Sequence, residues 1–171
     1  VRLHAVKDYY DLPRWVDDFP NLKQNFNLVP SLLAQLEDYA VHRAVDRVIE
    51  LTMIPAPQLT ELEKESILKT FFLANAKHLI FPYPRYKELW RKKENKEILS
   101  NQDFTDLQVW YNLCWIGEFW KRQEPFLTLF KKGKYFTEED KRVLIDGHYR
   151  IMSEVIPLYQ RLMKEGKIEL S

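Results

Sequence analysis

The sequence predicts a mostly α-helical fold with two short parallel strands. Apolar residues recur at helical spacing over most of the 171 residues. Only residues 23–29 and 167–170 show the alternation of apolar and polar side chains that is typical of strands. Because these two segments lie near opposite ends of the chain, we expect them to pair in parallel, with residues 30–166 forming one large helical crossover between them.

The first predicted strand has two different faces. Within residues 23–29, Phe26 and Leu28 fall on one face, and Asn25 and Asn27 fall on the other. A parallel strand that is covered on both faces is usually rich in Val, Ile and Leu. The two asparagines therefore need polar partners on their side of the strand.

Helices are predicted throughout the crossover. Pro30 starts one of them directly after the first strand, at a position where a helix needs no backbone N–H. Thr60 and Glu63 have the spacing of a capping box and predict a helix that runs to about residue 76. Shorter helices are predicted over residues 30–39, 44–51 and 84–93.

Residues 103–122 predict a central helix, because they are apolar over most of a helical circumference. This segment contains Trp110, Trp115 and Trp120. Large aromatic side chains are most simply part of a core, although indole rings also stack on the apolar faces of sugars.

The longest helix is predicted over residues 137–165, where one apolar face continues after an N-cap threonine and three acidic residues. Gly166 follows at the position that ends a helix in the left-handed conformation. In the short strand that comes next, Ile168 and Leu170 face one way and Glu169 faces the other.

The composition excludes several classes of function. The four glycines are far apart, which rules out the glycine-rich loops that bind phosphates. A net charge of +1 gives no reason to expect nucleic acid or an anionic membrane as a partner. The histidines have no metal-binding spacing, so no metal site is expected within the chain.

The single cysteine, Cys114, lies in an aromatic-rich stretch and is expected to be a buried, unreactive thiol. A free thiol fits a reducing compartment, and we expect a cytoplasmic protein. No apolar run approaches the about 20 residues of a membrane-spanning helix.

Five strings in chain order carry a resemblance to a known family. They are VRLHAVKDYYD at residues 1–11, FNLVPSLLAQLEDYA at 26–40, PYPRY at 82–86, DLQVWYNLCWIG at 106–117 and GKIELS at 166–171. Over essentially its whole length, the chain resembles glycoside hydrolase family 57, in particular an amylase-like branch of that family.

The resemblance implies the early part of a catalytic barrel domain. The family fold is an incomplete (β/α)7 barrel, and its members cleave or transfer α-1,4-glucans with retention of configuration. They use a glutamate nucleophile and an aspartate acid/base, with no metal or other cofactor. These two carboxylates stand about 5–5.5 Å apart in a retaining enzyme.

The family motif His-Gln-Pro and the motifs that carry the two catalytic residues are not found in this chain. We therefore expect it to supply barrel scaffold and substrate-cleft residues, but no catalytic residue. The expected partners are an α-glucan or maltooligosaccharide and the remainder of the barrel domain.

Glu169 is the principal substrate-binding candidate that the resemblance implies. Residues 166–169 match the second family motif, Gly-x-φ-Glu with φ apolar, whose glutamate lines the substrate cleft. If Ile168 faces the helices, Glu169 points into the barrel near the carboxyl end of its strand, where barrel enzymes build their sites. The alternative is an ordinary edge glutamate paired with a lysine.

Asn25, Asn27 and His4 are the further substrate-binding candidates. The asparagine amides suit a polar lumen or bound sugar hydroxyls, whereas Asn27 alternatively caps the turn before Pro30. His4 lies beside charged residues and either reaches the cleft or has a structural role.

A second class of function fits the same sequence. Amphipathic helices predominate, and no catalytic constellation is found within the chain. Both features are also expected of a stand-alone helical module that binds a protein partner in an apolar groove.

Overall fold

The computed structural model describes residues 1–19 and 21–170, and its secondary structure is mostly helical. The strands are β1 (Gln24–Phe26) and β2 (Ile168–Leu170). The helices are α1 (Arg2–Ala5), α2 (Asp8–Asp18), α3 (Pro30–Ala40), α4 (Arg47–Met53), α5 (Glu61–Thr70), α6 (Pro84–Glu94), α7 (Asn101–Leu113), α8 (Glu118–Lys121), α9 (Phe126–Lys132) and α10 (Glu138–Lys164). A 3-10 turn at Ala56–Gln58 and a π-helical turn at Ala76–Ile80 lie between these helices.

The two strands pair in parallel, which confirms the predicted arrangement. Gln24 lies opposite Ile168, and Phe26 lies opposite Leu170. In the described part of the chain they form a two-stranded sheet. β1 is shorter than the predicted strand of residues 23–29, since its pairing with β2 covers only Gln24–Phe26 among the described residues.

Helix α10 is the element against which most of the other elements pack. Thr137 is the N-cap as predicted: its hydroxyl accepts a hydrogen bond from the N–H of Asp140, whose carboxylate in turn accepts from the N–H of Thr137 and completes a capping box. Its apolar face packs against α2, α3 and α7. Although α10 has 27 residues, neither it nor any other described helix is long and apolar enough to cross a membrane.

The end of α10 directs the chain into β2. Gly166 has a φ of 68°, the left-handed conformation that glycine adopts without strain. Its N–H donates to the carbonyl of Met163 at 3.0 Å, and the N–H of Lys167 donates to the carbonyl of Leu162 at 3.0 Å. This pair of bonds is a Schellman motif, which fixes the direction in which β2 leaves the helix.

Helix α7 is the central helix that the sequence predicts, but it is shorter than expected. Every residue from Asp103 to Leu113 is buried. The helix ends at Leu113, and beyond this end Gly117 donates its N–H to the carbonyl of Val6 at 2.9 Å. The N–H of Glu118 donates to the carboxylate of Asp11 at 2.6 Å, so two contacts with the N-terminal region start the separate helix α8.

A buried polar cluster ties the chain's N-terminus to the core. The guanidinium of Arg2 donates to the Oδ1 of Asn112 and to the Nδ1 of His148, each at 2.9 Å. It also donates to the carboxylate of Asp46 at 2.8 Å. Helices α1, α7 and α10 are therefore joined by hydrogen bonds that the interior protects from water.

Other helix bounds differ from the predictions for local reasons. The helix predicted to run to about residue 76 ends at Thr70, and Phe71 turns inward to stack on Tyr111 with the ring centres 4.6 Å apart. Helix α4 begins only at Arg47, because the Asp46 carboxylate caps it.

The three tryptophans of residues 103–122 have different environments. Trp110 is buried as predicted, with 2% of its surface exposed. Trp115 and Trp120 are half-buried, since they follow the point where α7 ends.

Candidate functional site

The polar face of the strand pair brings two of the predicted site residues together. Asn25 on β1 lies directly opposite Glu169 on β2 in the parallel register. Residues that pair in this way point to the same face of a sheet, and neighbouring strands are about 4.8 Å apart. Both residues are exposed.

The opposite face of the pair is the one that meets the helices. The ring of Phe26 lies edge-on to Tyr159 of α10, with the ring centres 5.2 Å apart. Ile168 on the same face is 3% exposed. The face that carries Asn25 and Glu169 therefore points away from α10.

A small hollow lies along the strand pair, with a volume of about 120 Å³. Its lining consists of Lys23, Gln24, Asn25, Gly166, Lys167, Ile168 and Glu169. This volume is well below the about 300–1,000 Å³ of pockets that enclose a whole small molecule. The hollow has room for a hydroxyl-bearing part of a ligand.

An ion-pair cluster fixes the chain directly before Glu169. The Nζ of Lys167 is 2.7 Å from the Oδ1 of Asp17, and the guanidinium of Arg161 is 2.7 Å from the Oδ2 of Asp17. The hydrogen bonds from Arg161 and Lys167 hold the pKa of the Asp17 carboxyl well below its usual value. Helix α2 thereby holds the start of β2 in place.

Sequence reasoning missed this role of Asp17, because an ion pair between distant segments leaves no signal in local spacing. The cluster also bears on the alternative in which Glu169 is paired with a lysine. The lysine nearest in the chain, Lys167, makes its ion pairs with Asp17 and Glu165.

Asn27 lies one residue beyond β1 and is exposed. The N-cap position of the helix that follows is held by Val29, and no side chain caps that helix. Asn27 is therefore not the N-cap residue of this helix.

His4 lies among the N-terminal helices. Its Nδ1 is 2.8 Å from the carboxylate of Asp8, and its ring meets Trp115 edge-on with the ring centres 5.6 Å apart. Among the described residues, its side chain makes no hydrogen bond to the strand pair that carries Asn25 and Glu169.

The strand-pair site is suited to recognising hydroxyl groups. The Asn25 amide both donates and accepts hydrogen bonds, and an ionised Glu169 accepts two or more. One carboxylate cannot act at once as nucleophile and as general acid. In residues 1–19 and 21–170, no group of three or more His, Cys, Asp or Glu side chains is placed to hold a metal ion.

The comparison with known protein families identifies the family of the chain. The model of glycosyl hydrolase family 57 matches residues 1–171, the whole chain. The protein therefore belongs to family 57, as the resemblance predicts. No curated protein and no solved structure matches the chain.

Proposed function

We propose that the protein is part of a retaining hydrolase or glucanotransferase that acts on α-1,4-glucans. It supplies barrel scaffold and substrate-cleft residues. The observation that carries the proposal is the pairing of Asn25 with Glu169 on the uncovered face of two parallel strands, in a chain of glycosyl hydrolase family 57.

The chemistry of this pair suits a saccharide. A sugar presents neighbouring hydroxyl groups that donate and accept hydrogen bonds. A carboxylate binds such hydroxyls through charge-assisted bonds, and an adjacent amide complements it with a donor and an acceptor. In the proposal, Glu169 and Asn25 hold one sugar unit, and Asn27 extends the same polar face.

The strand pair itself supports a place in a larger barrel. The strands have three residues each and form a two-stranded parallel sheet with one face against α10, whereas parallel sheets are normally larger and covered on both faces. Further strands beside β1 and β2 would satisfy their outer backbone groups. In this proposal, residues 1–171 are the early part of an incomplete (β/α)7 barrel, and residues 30–166 are the crossover on its outer side.

The catalytic pair comes from elsewhere in the protein under this proposal. Glu169 is the one carboxylate among the described residues that line the hollow. Retention of configuration needs two carboxyl groups about 5–5.5 Å apart, one as nucleophile and one as acid/base. A cytoplasmic location is part of the same proposal, since the buried free thiol of Cys114 fits a reducing compartment.

Family membership favours this function over that of a stand-alone helical interaction module. The support for such a module is the high helix content of the chain. The test is reducing-sugar release from maltoheptaose by the purified 171-residue chain and by a longer natural protein that contains it. We expect turnover by the longer protein alone. Robust turnover by the 171-residue chain would place a catalytic pair within it and overturn the proposal.

A further inference from the structure

A second pocket lies on the helical crossover, apart from the residues that form the strand-pair site. It has a volume of about 380 Å³, within the range of about 300–1,000 Å³ that is typical of small-molecule pockets. Residues from α6, α7 and α9 line it, together with the loop after α9.

Aromatic rings form the apolar wall of this pocket. The half-buried ring of Tyr83 stacks on the buried ring of Trp110, with the ring centres 4.7 Å apart and the planes inclined by 26°. The half-buried ring of Phe130 lies 5.6 Å from that of Tyr83. The indole N–H of Trp110 donates to the carbonyl of Gly133 at 2.9 Å, so the support beneath Tyr83 is fixed.

Charged side chains form the rim, and carboxylates already neutralise most of the cations. Arg85 binds Asp103, Asp106 and Glu88. Lys132 binds Asp140. Lys134 is the one cation of the lining that makes no ion pair among the described residues, so an anion would find a single uncompensated charge here, whereas all of these polar groups are suitable partners for uncharged hydroxyls.

We propose that this pocket, with Tyr83 and Phe130 as its apolar wall and Glu88 and Lys134 at its rim, is a second saccharide-binding site. Saccharides combine an apolar C–H face, which stacks on aromatic rings, with an edge of hydroxyl groups. The choice of an α-1,4-glucan as the ligand rests on the proposed function. The site holds a glucan chain away from the strand pair, without a part in bond cleavage.

The test is a maltoheptaose titration of the ¹⁵N-labelled protein, followed by NMR. The indole N–H of Trp110 reports on this pocket, and the backbone amides of Asn25 and Glu169 report separately on the strand-pair site. We expect a saturable shift of the Trp110 indole resonance. An absence of binding at the second site would be seen at the Trp110 indole resonance. An absence of binding at the strand-pair site, which would contradict the proposed function, would be seen at the amides of Asn25 and Glu169.

Two variants assign the shift to the pocket. Tyr83→Ala removes the stacking surface and is expected to weaken binding about tenfold. Because it also removes a ring that packs on Trp110, Glu88→Ala on the exposed rim serves as a second variant, expected to weaken binding severalfold. Glu65→Ala, an exposed glutamate on α5, is the matched control and should bind as the native protein does.

A Trp110 resonance that does not move with maltoheptaose would overturn the proposal. A shift that is unchanged in both Tyr83→Ala and Glu88→Ala would do the same. A parallel titration with inorganic phosphate should leave the resonance in place, and a response to phosphate without one to maltoheptaose would identify an anion site instead.

Discussion

Asn25 and Glu169 are register partners on neighbouring parallel strands, although they lie near opposite ends of the chain. Their proximity depends on the whole crossover, since α10 must run back across the molecule and end at Gly166 before β2 can reach β1. Substitutions that shift the helices of the crossover are therefore expected to change the position of Glu169 relative to Asn25.

Replacing Gly147 with alanine should destabilise the protein, although alanine is the better helix former. A Cβ at Gly147 would lie 2.6 Å from the Cζ of Phe126, whose ring is fully buried and cannot move aside. Overpacking of this kind costs about 1–3 kcal/mol, and the gain in helix propensity is at most about 1 kcal/mol. Urea denaturation should show a net loss of up to about 2 kcal/mol in the free energy of unfolding.

The control for this prediction is the same substitution in a Phe126→Leu background. The smaller side chain leaves room for the added methyl group, so Gly147→Ala should then be close to neutral. An equal loss of stability in both backgrounds would show that contact with Phe126 is not the cause.

The buried His148 should make the protein less stable in mild acid. Burial and the neighbouring Arg2 hold the pKa of His148 well below its usual value of 6.5. The unfolded chain binds a proton at this histidine below about pH 6.5, whereas the folded protein does not. The contribution of His148 to the free energy of unfolding is therefore fully present above about pH 6.5. It decreases as the pH falls below that value, by up to about 1.4 kcal/mol per pH unit.

His148→Asn isolates this effect, because the asparagine amide oxygen can replace the Nδ1 acceptor for Arg2 and does not titrate. The measurement is the free energy of unfolding between pH 7 and about pH 5, where the unfolded-state histidine gains its proton. The variant should show a flatter profile than the native protein. Identical slopes would mean that His148 titrates alike in the folded and unfolded states.

Cys114 should be unreactive in the folded protein. Its side chain is fully buried, and its thiol lies 3.3 Å from the carbonyl oxygen of Tyr111. Burial raises the pKa of the thiol, so the reactive thiolate is scarce as well as inaccessible. A colorimetric thiol reagent should detect no thiol in native buffer and one per chain in denaturant; rapid labelling of the native protein would contradict the structure.

The features that the sequence predicts well are those with local signals. The capping threonines at Thr60 and Thr137, the proline that starts α3 and the glycine after α10 each mark a helix boundary that the structure contains. Alternation in the two strands predicts that Asn25 and Glu169 lie on polar faces. The parallel pairing followed from the length of the crossover alone.

The features that the sequence does not predict depend on contacts between distant segments. Helix α7 ends where Val6 and Asp11 supply hydrogen-bond partners to Gly117 and Glu118. Helix α1 has only four residues, and α2 contains Pro13, which argues against a helix locally.

The candidate site also combines residues that have a local sequence signal with a residue whose role depends on a distant contact. The resemblance identified Glu169, and strand alternation identified Asn25. Neither could identify Asp17, whose carboxylate binds Lys167 and Arg161 from the other end of the chain.

The most direct test of the central claim is the affinity of the strand-pair site for maltoheptaose, measured from the amide resonances of Asn25 and Glu169. The native protein should show saturable shifts at both. Glu169→Gln should weaken the binding about tenfold, since a neutral amide replaces charge-assisted hydrogen bonds, while stability stays within about 0.5 kcal/mol because Glu169 is exposed. Glu139→Gln, which alters an exposed glutamate on α10, is the matched control and should bind as the native protein does. Amide resonances that do not respond to maltoheptaose, or an affinity unchanged in Glu169→Gln, would contradict the assignment of this face to substrate binding.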